Sequence, residues 1–220
     1  MSRRKHRPRD RTREELLDAG INLLLAQPAP GVEHIKATAV VASVGLSSGA
    51  FYNIWDSQQR YHHDLLAWVF DPDRWPVTAA AELTVNELTV DGVPFETIVA
   101  EVARLAWTEA VNNQPLLRLQ LALWASNDPI TRQRLSDQYT HVGRQWADVI
   151  DMLIRAHHRT LRAPFTADTL GLTLTALLEG MIVRCDVDTS HDPPTTSTDT
   201  RQELFIDAVL ALAESIVTNH

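Results

Sequence analysis

The chain has 220 residues, a formal net charge of −8 and 45% hydrophobic side chains, enough for one large domain or for a small head on a bigger body. No run approaches the roughly eighteen uninterrupted apolar residues of a membrane span, since even Leu170 to Cys185 is broken by Thr173, Thr175, Glu179 and Arg184. The single cysteine, Cys185, excludes an intramolecular disulfide framework and any Cys-cluster metal site.

Charge is unevenly spread. Residues 1–13 hold seven basic side chains and one acidic, a net +6, which leaves −14 for residues 14–220. A basic tip on an acidic body points to two jobs. The charged start is followed by no apolar core of a signal peptide, and the expected compartment is the cytoplasm.

In chain order, a first helix is expected from near Arg11 until Pro28, Pro30 and Gly31 close it, with Leu17, Ile21, Leu24 and Leu25 as its apolar stripe. Pro72 and Pro76 end the region up to Phe70, and Asp91-Gly92 with Pro94 opens another helix. Ile98, Val102, Leu105 and Ala106 make one stripe there, and Val142, Trp146, Val149, Ile150 and Leu153 make a later one. Thr84 to Val90, rich in β-branched residues, fits a loop, a short helix or extended chain. Asp186 to Thr200 reads as a polar loop. No segment longer than about five residues alternates strictly, so the fold class is all-α.

The informative window is Val40 to Trp55. Small and apolar residues up to Val44 suit a short helix, Gly45 sits where a tight turn demands positive φ, and Leu46 can plug the angle between two helices. Ser47 has the chemistry of an N-cap for a second helix. Short residues at its start, Ser48, Gly49 and Ala50, let the backbone approach a major groove. An ordinary αα-corner in a helical core has the same spacing.

Two segments carry a resemblance. Leu16-Leu17-Asp18-Ala19-Gly20-Ile21-Asn22-Leu23-Leu24, followed by Val44-Gly45-Leu46-Ser47-Ser48-Gly49-Ala50-Phe51-Tyr52-Asn53-Ile54-Trp55, resembles the head of the tetracycline-repressor (TetR) family of transcriptional regulators. The motifs cover residues 11–70. The resemblance implies a three-helix helix-turn-helix head on a larger helical body that binds a ligand and dimerises: a basic arm at 1–10, a DNA-binding domain at 11–57 and a body at 58–220. It also shows departures. His34-Ile35-Lys36-Ala37 stands where the family has a capping Thr, and Gln58-Gln59 replaces a Lys-Glu pair whose lysine holds a phosphate.

By this resemblance Ser47, Ser48, Ala50 and Asn53 lie near base edges or phosphate, Tyr52 donates to a phosphate, and Phe51 and Trp55 belong to the head's core. Hydroxyls suit phosphate, and Asn can read an adenine edge. Residues 14–60 carry only Lys36, itself expected to contact DNA, and Arg60 against five acids, net −3. Much of the counterion-release contribution must therefore come from the tip, with Arg3, Arg4, Lys5 and Arg7, together with Arg9, Arg11 and Arg13, forming an arm on double-stranded DNA. A solubilising tail is the alternative.

In the body, Trp107, Trp124, Tyr139 and Trp146 with Arg118 and His141 are candidates for a small-molecule effector site, although tryptophans at helical spacing also fill cores. The stripe Leu174, Leu178, Met181 and the stripe Phe205, Val209, Leu212 are expected to pair with a second copy, as the family's last two helices do, unless they serve only an internal core. Gly171 and Gly180 would permit close helix approach. Ligand response would run through the helix Gln58 to Phe70. No histidine spacing makes a convincing metal site, and neither a phosphate loop nor a nucleophile elbow is present, so no cofactor and no catalysis are expected. The implied function is a ligand-responsive regulator, repression being the family's commoner mode. A helical protein-protein adaptor with a basic docking tail is the alternative.

Overall fold

The computed structural model describes residues 9–27, 31–72, 77–188 and 198–219, which form ten helices and one short β-ribbon. The helices are α1 (Arg9–Ala26), α2 (Ala37–Ser43), α3 (Ser48–Tyr52), α4 (Gln58–Val69), α5 (Val77–Val90), α6 (Phe95–Asn112), α7 (Gln114–Ala125), α8 (Pro129–Ala156), α9 (Ala167–Asp188) and α10 (Thr198–Ile216). The ribbon pairs β1 (Arg159–Leu161) with β2 (Val217–Asn219), antiparallel, with Thr160 opposite Thr218.

Two compact units form, one from Met1–Asp71 with Pro115–Asp137, the other from Pro72–Gln114 with Gln138–His220. In the first, the apolar stripe of α1 (Leu16, Leu17, Ile21, Leu24) meets Val40 of α2, Phe51 of α3, Trp55, and Tyr61 and Leu65 of α4. Leu119, Leu123 and Leu135 complete this core. Three buried or half-buried polar ties fix it. Tyr61 donates to the Leu16 carbonyl at 3.0 Å, the Trp68 indole to Asp18 at 2.8 Å, and buried Gln120 to the Val69 carbonyl at 2.8 Å, which satisfies an orphan acceptor at the end of α4. At Gly20 an added methyl would overlap the Tyr61 hydroxyl oxygen, so the absent side chain is what lets α4 close on α1.

In the second unit α6 lies at the centre, packed against α5, α9 and α10. The segment Thr84 to Val90 is helical, the last half of α5; Thr84 returns its hydroxyl to the Ala80 carbonyl at 2.9 Å, and Ala81 and Val85 are buried. The ribbon is the departure from an all-helical reading. Its three-residue strands are too short to show alternation. The polar loop is also shorter than expected: Asp186–Asp188 ends α9 and Thr198–Thr200 begins α10, while 189–197 lie outside the described residues. No described helix is long and apolar enough to cross a membrane.

Candidate nucleic-acid interface and ligand cavity

The turn between α2 and α3 follows from its residues. Gly45 adopts φ +68°, and the Leu46 amide donates back to the Val41 carbonyl at 2.8 Å while its side chain packs on the core. Phe51 points inward with no exposed surface and stacks against Trp55 and Tyr61 at centroid separations of 5.1 and 5.0 Å. That inward anchor turns the opposite side of α3 outward: Ser47, Ser48 and Asn53 are exposed, Ala50 is half-buried, and Tyr52 is 55% exposed, edge-on to Phe51. Ser47 occupies the N-cap position with extended backbone, yet its hydroxyl makes no capping bond; only its carbonyl accepts, from Ala50.

The two departures from the family pattern compensate one another. Lys36 holds the N-cap position of α2 without a side-chain cap, and its ammonium donates instead to the Glu33 carbonyl at 3.0 Å. The missing acceptor arrives from α4, where Gln58 Oε1 accepts from the Ala37 amide at 3.2 Å. Ser57 in turn caps α4 by accepting from Arg60. A lysine at 58 would bring no acceptor, so Gln58 fits a chain that lacks the capping threonine.

Asp64 ties the aromatic core to α1. It accepts from Arg13 at 2.8 Å and from the Trp55 indole at 3.0 Å, with His63 nearby. Partial burial opposes its charge, but the bonds from Trp55, Arg13 and His63 outweigh this and hold the carboxyl below its ordinary range. Arg13 is therefore engaged within the head, and with Arg9 and Arg11 it belongs to α1 rather than to an extended arm. Arg3, Arg4, Lys5 and Arg7 lie outside the described residues.

The second unit contains a cavity of about 90 Å³ whose exposed wall is almost wholly carbon. Phe95, Val99 and Ala103 come from α6, and Trp146, Val149 and Leu153 from α8. Leu170, Leu174 and Leu178 come from α9, and Phe205, Val209 and Ala213 from α10. Of the six residues expected at an effector site, Trp146 alone lines this space. Trp107 is buried next to the cavity residue Phe205, ring centroids 5.7 Å apart. Tyr139 donates to Glu179 at 3.0 Å, and His141 is exposed on α8. Arg118 and Trp124 belong to the first unit, where the Arg132 guanidinium lies 5.9 Å from the Trp124 ring.

Of the expected dimer residues, Leu174, Leu178, Phe205 and Val209 are cavity wall, while Met181 and Leu212 are half-buried and not part of that wall. The outward apolar stripe is a different set. On α9 it runs through Leu172, Ala176, Gly180 and Val183, and on α10 through Leu204, Ala208 and Ala211. The two glycines separate accordingly. A methyl on Gly171 would contact the Gly143 carbonyl and Trp146 at 3.4 Å, so Gly171 serves α8–α9 packing, whereas a methyl on Gly180 would meet nothing within 4 Å.

No protein-family model matches the sequence, and no curated protein matches it. Solved structures do. A Mesorhizobium loti protein assigned to the TetR family of transcriptional regulators aligns with a TM-score of 0.72 at 12% identity, over 97% of this chain and all of that one. A TetR-family regulator from Cytophaga hutchinsonii aligns at 0.64 and 12% identity, over 99% and 100%. FadR of Thermus thermophilus, a TetR-family repressor in complex with lauroyl-CoA, aligns at 0.57 and 18% identity, over 91% and 92%. The chain has the fold of the TetR-family transcriptional regulators.

Proposed function

We propose that the protein is a ligand-responsive transcriptional regulator of the TetR type that binds a partly palindromic operator as a homodimer, most simply as a repressor. The observation that carries this is the α2–turn–α3 unit, in which Phe51 and Trp55 hold the core while Ser47, Ser48, Tyr52 and Asn53 remain outside as donors and acceptors for phosphate and base edges. Residues 11–57 form the DNA-binding domain and 58–220 the ligand-binding and dimerising body, and the basic arm expected at 1–10 is cut back to the residues before Arg9, where α1 begins. Because the head itself is acidic, Arg3, Arg4, Lys5 and Arg7 supply much of the phosphate contact.

Two heads on one two-fold axis would enter successive major grooves about 34–36 Å apart. The surface available for that pairing is the outward stripe of α9 and α10, with open Gly180 near its middle. Leu172 is 67% exposed and Leu204 60% exposed, large apolar side chains that a partner copy would cover. The opposite sides of these helices line the cavity, so a ligand that moves α9 or α10 alters how two copies meet, and with that the spacing of the heads.

Selection of bound sequences from a random duplex pool tests the reading. A two-fold-related consensus with a steep salt dependence is expected; retention without sequence preference would favour an adaptor with a basic tail. Deleting residues 2–9 should lower operator affinity and flatten its salt slope, and an unchanged slope refutes the arm. Light scattering should show a dimer that Leu172→Lys with Leu204→Lys converts to monomer; a wild-type monomer at micromolar concentration refutes pairing.

A further inference from the structure

We propose that the cavity of the second unit takes an uncharged hydrocarbon group, a compact alkyl or alicyclic moiety, and rejects charged analogues of the same shape. The proposal deepens the ligand-responsive reading, on which it rests for its biological meaning but not for its chemistry.

Among the described residues lining the cavity none is charged, and Thr175 is the only hydroxyl. That hydroxyl already donates within α9, to the Gly171 carbonyl at 2.9 Å and the Leu172 carbonyl at 3.1 Å. The Trp146 indole lends ring carbon to a wall that is almost free of polar surface. The Arg159 guanidinium, 4.2 Å from the centroid of the Phe95 ring, is paired with Glu96 at 2.7 Å. A ligand ion placed inside would lose its water and gain no counter-charge. Water itself is poorly accommodated, because a buried water needs two to four polar partners and this wall offers at most the Thr175 hydroxyl oxygen.

Size narrows the class further. An apolar cavity of about 150 Å³ stays dry and admits benzene, so about 90 Å³ suits a smaller group, on the order of three or four carbons, such as a cyclopropyl ring or a short branched alkyl chain. A longer ligand would place one end here and carry its polar part outside. Because the wall is assembled from α6, α8, α9 and α10, occupancy touches four of the unit's helices at once.

The test uses the full chain and three matched probes, cyclopropane, cyclopropanecarboxylate and cyclopropylamine, with methyl resonances of labelled Val and Leu as the readout. Saturable shifts at Val99, Val149, Leu153 and Leu174 with cyclopropane are expected, the two ions binding at least about tenfold more weakly. Ala103→Leu should abolish the shifts by filling the space. Should that variant fail to fold, Val99→Ala provides the second arm, since an enlarged cavity should accept cyclopentane more tightly than wild type does. Ions that bind as tightly as cyclopropane, or the absence of saturable shifts with cyclopropane, would overturn the proposal. Operator affinity measured with and without cyclopropane separates the two claims: cavity binding with no change in operator affinity supports the ligand class and counts against ligand response, while operator release without cavity shifts overturns the ligand class alone.

Discussion

Replacing Gly20 by alanine should destabilise the head, against the usual direction for a helix interior, and Tyr61 should be the reason. On an unobstructed helix the change to alanine contributes about 1 kcal/mol of stability. Here the new methyl would overlap Tyr61 Oη and stand 2.8 Å from Leu65 Cδ1, both on α4 and both in the core. Forcing a methyl into a packed core costs about 1–3 kcal/mol. Displacing Tyr61 also weakens its bond to the Leu16 carbonyl, worth about 1 kcal/mol net. The expected result for Gly20→Ala is a loss of about 1–3 kcal/mol. Tyr61→Phe alone should cost about 1 kcal/mol, and in that background Gly20→Ala should cost less than in wild type, because the overlapping oxygen is gone and only the contact with Leu65 remains. Urea unfolding followed by tryptophan fluorescence suits the cycle, since the Trp55 ring lies 4.9 Å from that of Tyr61. Equal costs of Gly20→Ala in the two backgrounds would refute the argument, as would any gain in the wild-type background.

Three further outcomes follow from polar contacts. Gln58→Ala removes the acceptor for the Ala37 amide and should cost about 1 kcal/mol, whereas Gln58→Glu keeps an acceptor and should cost less; hydrogen exchange at Ala37 reads the difference. Asp64, lowered in the folded state, contributes stability that is complete above the ordinary aspartate pKa of about 3.9 and is lost as pH falls through its depressed folded value. Acid unfolding of Asp64→Asn should therefore be shallower below about pH 4 than that of wild type, and identical slopes would remove the role given to this carboxylate. Glu179 is raised by burial, only partly offset by the bond from Tyr139, so ionising it disfavours the folded state. Wild-type stability should fall as pH rises through and above about 4.3, while Glu179→Gln, which keeps an acceptor for Tyr139, should lack that component in a urea titration across pH.

The head was legible in the sequence because its determinants are local. Gly45 needs positive φ within its own turn, and Phe51 and Trp55 announce an inward face by helical spacing within one short segment. The division into a basic tip and an acidic remainder is a matter of counting charges. The cap of α2 was not legible, since its acceptor, Gln58, lies 21 residues away and appears in sequence only as a missing lysine. Greater separations hide the Asp64 contact with Arg13, 51 residues apart, and the pairing of β1 with β2 across α9 and α10.

The body shows the limit most plainly. Periodicity identified the apolar stripes of α8, α9 and α10, but a stripe says only that a face is apolar, not whether it meets a packed core, a hollow or another molecule. Leu174, Leu178, Phe205 and Val209 surround a cavity, while Leu172, which the α9 stripe passed over, and Leu204 are exposed. Sequence by itself determined a helical chain with a helix-turn-helix head, a basic tip and an acidic remainder. Tertiary structure decided which face of each body helix is inner wall and which is open surface, because that depends on how four distant helices close around a shared space.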